Sequence, residues 1–254
     1  MPLPNDVRDL VDRILSRLDE TRDFYLHTRQ AWRVVQKIAH EGRSVGIIET
    51  ASGQDVPATD LEALAQRYVT VHLSESAFKG LSGLLEDWMI GLARLWLTAY
   101  PAQLSAASSD AAERPRSQRR EEIQIPLSEI LDAADRDEIL ATVVERILRD
   151  LAHQRPALWF RFLDNRVNLG CPDEAQRIAL CEMKAARDVL EHNRGLVREE
   201  YREKAGPAAR YVVGETIQIE EPYLLQCFEL LRDVLKAMAD AAVRKSSSSP
   251  LPNP

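Results

Sequence analysis

The sequence predicts an all-α protein, a helical bundle with a long flexible loop between two of its helices. Leu, Ala, Glu and Arg, which favour helices, are abundant, whereas the chain has only 10 glycines and few β-branched runs. Apolar residues also recur at three- and four-residue steps, the pattern of amphipathic helices. We therefore expect a single domain over residues 1–245, with helices over 5–102, the flexible loop over 103–121 and a second helical half over 122–245.

Three amphipathic helices are expected before the loop. The first is predicted from Asp6 to about Glu41, with Asn5 and Asp6 as suitable N-terminal caps. The next two are predicted at Thr59 or Asp60 to Leu73 and at Ser74 or Ser76 to about Pro101. We interpret the dense apolar side of the third helix as core packing rather than as a ligand pocket. That side comprises Phe78, Leu81, Leu84, Leu85, Trp88, Met89, Leu92, Leu95 and Trp96.

The loop, residues 103–121, is rich in Ser, Ala, Arg and Glu, which predicts flexibility. Its basic pair, Arg119 and Arg120, is either an RNA contact or part of a solvated loop. Beyond the loop we expect a short extended segment, four helices and a disordered tail. The extended segment is expected at 123–127 and the tail at 246–254. The four helices are expected at 139–151, around 159–163, from 173 into the motif described below, and at 223–244.

The composition restricts the classes of partner. A formal net charge of −7 and a pI of about 5.4 argue against a protein coated in basic surface, so any nucleic-acid contact requires a local patch. Cys171, Cys181 and Cys227 are odd in number and contain no Cys-x-x-Cys, which favours reduced, buried thiols over disulfides or a zinc site. The sequence has no signal-peptide layout and no uncharged stretch of membrane-spanning length. We expect a cytoplasmic protein without a membrane partner.

Arg187 and His192 are the strongest catalytic candidates. They lie five positions apart near a predicted helix end, and this pairing suits RNA cleavage without a metal. An imidazole moves protons at neutral pH, and a guanidinium holds a phosphate. The spacing alone is not specific, because His27 and His72 also follow an arginine at this distance. We expect no metal and no cofactor, since no metal-ligand spacing emerges.

The geometry of a helix places a demand on this pair. Residues five apart on an ideal helix are separated by roughly 140° around the axis and about 7.5 Å along it. Either a distorted helix end, which Asn193 and Gly195 would allow through left-handed backbone angles, or a second chain related by two-fold symmetry is needed to bring Arg187 and His192 to one phosphate.

Neighbouring polar residues are auxiliary candidates. Asp188 precedes His192 by four positions, so its carboxylate could orient the imidazole. Lys184, Arg194, Arg198 and Arg202 could contact RNA phosphates; the alternative is an exposed helix of mixed charge. The acidic residues that nearly cancel their charge are Glu182, Glu191, Glu199, Glu200 and Glu203.

The run from Ala186 to Tyr201, "ARDVLEHNRGLVREEY", resembles the signature of the HEPN superfamily: arginine, a polar residue, three variable residues, histidine, then commonly Asn and a nearby Gly. The resemblance is best over about 123–243 and implies a HEPN-like helical bundle that is usually dimeric. In many members it implies a metal-independent endoribonuclease in which the RNA 2′-hydroxyl attacks, leaving a 2′,3′-cyclic phosphate. Carried onto matching positions, Arg187 would contact the scissile phosphate and His192 would act in acid/base chemistry. Asp188 occupies the polar position, and Asn193 follows the histidine.

The resemblance leaves several roles open. We expect a toxin or an antiviral defence effector, with its composite active site at a homodimer interface; the alternative is a noncatalytic interaction or regulatory module. Arg194 stands where toxins paired with nucleotidyltransferase antitoxins commonly have tyrosine, which argues against that form of regulation but leaves another protein antitoxin or regulatory partner open. A nucleotide-binding helical domain is a third reading, without a glycine-rich phosphate loop to support it.

Overall fold

The computed structural model describes residues 3–105, 134–152 and 154–248. Regular secondary structure in these ranges is helical, without a β-strand, so the all-α prediction is confirmed. The elements are α1 (Leu3–His40), α2 (Ala58–Arg67), a π-helical segment (Tyr68–Leu73), α3 (Ser74–Ala99), α4 (Ala102–Ser105), α5 (Arg136–Ala152), α6 (Pro156–Arg166), α7 (Glu174–His192), α8 (Glu199–Ala205), a 3-10 turn (Gly206–Ala208) and α9 (Glu221–Ser248).

Several predicted bounds were wrong. Because α1 begins at Leu3, Asn5 and Asp6 lie within its first turn instead of capping it. Residues 246–248 continue α9 rather than starting a disordered tail, and their hydroxyls donate to carbonyls of the preceding turn. Residues 102–105 are helical, so residues 103–105 of the predicted loop belong to α4. The remaining part of that loop (106–121), the extended segment at 123–127 and residues 249–254 lie outside the described residues.

The chain forms two compact units. Unit 1 comprises the described residues of 1–14, 85–181 and 233–254, and unit 2 comprises 15–84 and 182–232. This division does not follow the two halves expected on either side of the loop, and the single-domain organisation stays a prediction.

Unit 1 has an aromatic and aliphatic core. Trp159 of α6 is fully buried, and its indole Nε1 donates a 2.7 Å hydrogen bond to the Leu151 carbonyl near the end of α5. Gly91 of α3 lets α1 approach closely, because a Cβ there would lie 2.9 Å from Cδ2 of Leu10. On the surface, Arg94 donates two hydrogen bonds to Glu145. Buried apolar residues of α1, α3, α5 and α6 therefore form the core of this unit.

Unit 2 buries the apolar face of the second half of α7. Met183, Ala186 and Val189 lie on that face and are at most 3% exposed. The residues predicted to form the core side of α3 are buried, except for Leu95, which is half-buried. Unit 2 contains every candidate site residue.

Candidate functional site

Helix α7 positions the candidate residues. A reciprocal cap precedes it: Asp173 Oδ1 accepts from the Gln176 amide at 2.8 Å, and Gln176 Oε1 accepts from the Asp173 amide at 3.1 Å. The predicted start of this helix at Asp173 is thus confirmed to within one residue. From there α7 runs without a break to His192, its last residue.

The end of α7 is fixed by two consecutive left-handed residues. Arg194 has φ 53° and Gly195 has φ 81°. Of the two residues that the sequence suggested for this role, Gly195 has the left-handed backbone, whereas Arg194 rather than Asn193 has the other. The amides of Asn193 and Gly195 both donate to the Val189 carbonyl, at 2.9 and 3.1 Å. This double use of one carbonyl turns the chain sharply away from the helix axis immediately after His192.

The segment after the turn is held by a short antiparallel pairing. The Ile217 amide donates to the Gly195 carbonyl at 2.9 Å, and the Val197 amide donates to the Glu215 carbonyl at 2.9 Å. The positive φ of Gly195 is a conformation that L side chains rarely adopt, so this position has a conformational requirement for glycine. A Cβ there would contact Thr216 Cγ2 at 3.4 Å. The helix end that presents His192 is therefore braced by backbone hydrogen bonds.

Asp188 is surrounded by cations. Its carboxylate accepts from Lys204 Nζ at 2.9 Å and from Lys184 Nζ at 3.0 Å, and Arg187 Nη1 lies 3.4 Å away. Burial favours the neutral acid, but the hydrogen bonds from Lys204 and Lys184 outweigh burial and lower the pKa of Asp188. Asp188 is therefore an ionised acceptor at neutral pH.

Arg187 and His192 are not in contact in the described structure. The Arg187 side chain is 28% exposed, and its Nε is buried without a hydrogen-bond partner. His192 is exposed and makes no hydrogen bond, ion pair or ring contact with another described residue, Asp188 included. The carboxylate of Asp188 is thus committed to lysines, and the predicted orientation of the imidazole by Asp188 is not seen.

Three of the predicted RNA contacts differ in accessibility. Lys184 has a side chain only 13% exposed and paired with Asp188, so it is not the open phosphate contact that the sequence suggested. Arg194 and Arg198 are exposed, and neither forms an ion pair with another residue of the described ranges.

A second polar cluster, absent from the sequence-based prediction, surrounds Glu182. This glutamate is 3% exposed and accepts from Tyr201 Oη at 2.7 Å, from Arg210 Nε at 3.2 Å and from Tyr223 Oη. The Arg210 guanidinium lies 3.2 Å above the centroid of the Tyr223 ring. Three donors thus hydrogen-bond to a buried carboxylate, whose burial without them would cost folding free energy.

The sequence held a signal for this cluster. Glu182 lies four and seven positions before Ala186 and Val189, so it belongs to the buried stripe of α7. Counting Glu182 among the exposed acidic residues that offset the local basic charge was therefore wrong. A glutamate in an apolar stripe predicts buried donors, although periodicity cannot say that Tyr201, Arg210 and Tyr223 supply them.

Within the described ranges, no three His, Cys, Asp or Glu side chains are grouped so as to hold a metal ion. No helix there has the length and apolar character of a membrane span. In comparisons with known proteins, the chain matches no family model, no curated protein and no solved structure.

Proposed function

We propose that this protein is a metal-independent endoribonuclease that acts as a homodimer. The observation that supports the proposal is the placement of an exposed histidine, His192, one helical turn beyond a carboxylate, Asp188, around which three cations gather. An imidazole open to a ligand beside excess positive charge suits proton transfer at a phosphodiester.

In this reaction the 2′-oxygen of a ribose attacks the adjacent phosphorus, and the bond from phosphorus to the 5′-oxygen breaks. The products are a 2′,3′-cyclic phosphate and a 5′-hydroxyl. His192 moves a proton to or from these oxygens, and the guanidinium of Arg187 stabilises the charge on the phosphoryl oxygens. Since α7 is continuous through both residues, they point about 140° apart. We propose that a second copy supplies the complementary residue of each site.

The test is cleavage of unstructured RNA in excess EDTA, with the product ends identified by mass spectrometry. His192→Ala and Arg187→Ala are expected to slow cleavage by about 100-fold or more. His27→Ala is the matched control, because His27 is an exposed histidine that follows an arginine by five residues in the middle of α1. Loss of cleavage in the control as well, or an unchanged rate in His192→Ala, would contradict the proposal.

The ion pair between Arg187 and Asp188 also fits a noncatalytic interaction module, in which the motif arginine has a structural role. In that case purified protein leaves RNA intact and both motif variants behave like the parent. The role of toxin or defence effector rests on the resemblance to HEPN proteins. It is tested by expressing the parent and His192→Ala in cells, where only the parent should arrest growth.

A further inference from the structure

We infer that Lys204 binds a backbone phosphate of the RNA beside Arg187, and that Asp188 is a positioning residue that holds these two cations together. The inference rests on the proposed function and deepens it. Lys204 lies outside the Ala186–Tyr201 run, and nothing in its sequence position pointed to the site.

The geometry brings Lys204 to the motif from a different helix. Lys204 Nζ of α8 lies 2.9 Å from Asp188 Oδ2, while Arg187 Nη1 lies 3.4 Å from Asp188 Oδ1. One carboxylate therefore separates the two charged groups and fixes both near its own oxygens. A phosphate that approaches this carboxylate from the solvent side meets an ammonium and a guanidinium together.

The charges around Asp188 do not balance. Among the described residues, Asp188 is the sole ion-pair partner of both Arg187 and Lys204. One carboxylate cannot neutralise two cations, and it is also shared with Lys184. The other carboxylates of α7 in unit 2 have partners of their own: Glu182 pairs with Arg210, and Glu191 pairs with Lys79. Within ion-pair distance, the two cations therefore outnumber their carboxylate by one.

This excess charge is partly removed from water. The side chains of Arg187 and Lys204 are 28% and 31% exposed, and Arg187 Nε has no acceptor although it is buried. Cations in such surroundings are costly unless an anion offers charge and acceptor oxygens. A phosphodiester supplies both, and RNA brings one into place when its neighbouring ribose lies at His192.

The test measures binding separately from cleavage. Fluorescein-labelled RNA with 2′-O-methyl groups, which cannot be cleaved through the 2′-oxygen, is titrated in EDTA against His192→Ala protein and against the same protein carrying Lys204→Gln. Affinity is measured by anisotropy across a range of salt concentrations. Loss of one phosphate contact is expected to weaken binding by about tenfold at low salt and to reduce the slope of log K against log salt by about 0.7.

Two further variants separate a contact from a general effect. Lys204→Arg, which keeps the charge, should retain the affinity and the slope. Lys37→Gln removes an exposed charge from α1 and should change neither. Thermal unfolding of each variant identifies any that fail to fold. If Lys204→Gln is one of them, Lys204→Met replaces it in the comparison with Lys204→Arg.

The outcomes for the two proposals are distinguishable. If the parent cleaves RNA but the Lys204 variants bind with an unchanged slope, the phosphate contact is overturned and the ribonuclease proposal stands. If RNA stays intact but binding depends on Lys204 as described, the phosphate site stands and the catalytic proposal falls. Equal weakening by Lys37→Gln would also overturn the Lys204 contact, since it would reflect net charge alone.

Discussion

The hydroxyl group of Tyr201 donates a 2.7 Å hydrogen bond to Oε1 of Glu182, a carboxylate that is only 3% exposed. The same hydroxyl oxygen accepts a 3.0 Å hydrogen bond from the Arg210 amide. Burial, followed by the adjacent Glu182 charge, raises the pKa of Tyr201, so the phenol remains a donor over the whole neutral range. The first turn of α8 is thereby tied to the motif helix.

We predict that Tyr201→Phe lowers the free energy of unfolding by about 1–3 kcal/mol, because the buried carboxylate loses one donor and the Arg210 amide loses its acceptor. Urea unfolding of the two proteins measures the difference. Tyr68→Phe is the control: the Tyr68 hydroxyl makes no hydrogen bond with a described residue, and its ring contacts with Trp32 and His72 survive the change. Equal losses in both variants would show that the Glu182 bond contributes little.

Asp188→Asn should produce a pH-dependent loss of stability. The folded-state pKa of Asp188 lies below its ordinary value of 3.8, so the ionised carboxylate adds stability above that pH and this contribution fades as the pH falls through the folded-state pKa. We expect a deficit of about 1–3 kcal/mol at pH 6 that shrinks below pH 3.8. Denaturant titrations at pH 3 to 7 measure it. Asp233→Asn, at an exposed position of α9, is the control for the loss of one aspartate charge. A deficit in Asp188→Asn that stays constant with pH would contradict the ion-pair account.

Gly195→Ala should destabilise the turn that follows His192. Gly195 has φ 81°, and a Cβ there meets Thr216 Cγ2 at 3.4 Å, so we expect a loss of about 1–2 kcal/mol. Gly83→Ala is a matched control within α3, where a Cβ has open space and φ is not positive; there we expect a gain of about 0.5–1 kcal/mol. Thermal unfolding of both variants distinguishes backbone strain from added volume. A stabilised Gly195→Ala protein would rule out the strained turn.

Cys227 should resist alkylation in the native protein. Burial, opposed by a hydrogen bond with Tyr223 and reinforced by the Glu182 charge, raises the pKa of this thiol to about 12. Since the thiolate is the reactive species, iodoacetamide at pH 8 should label Cys227 only after unfolding, and more slowly than the half-buried Cys171 and Cys181. Peptide mass spectrometry gives the order of labelling. Rapid native labelling of Cys227 would mean that unit 2 opens readily around α9.

Much of the helical architecture could be predicted from the sequence. The apolar side of α3 and the start of α7, predicted at Asp173 and found at Glu174, followed from periodicity and from local turn residues, which act over a few positions. Helix α8 was missed because it is short and only Tyr201 and Ala205 are buried along it, so it has no extended apolar stripe. Its cation Lys204 was missed with it.

The sequence by itself determined which residues could do chemistry, placing Arg187 and His192 five positions apart on one helix that ends at the histidine. Only the tertiary structure decided their partners, giving Asp188 to Lys184 and Lys204 rather than to His192, and burying Glu182 among Tyr201, Arg210 and Tyr223. The physical reason is the distance along the chain over which each interaction acts. Helix formation and capping depend on neighbours within a turn, whereas the environment of a carboxylate depends on which distant donors packing brings within hydrogen-bond distance.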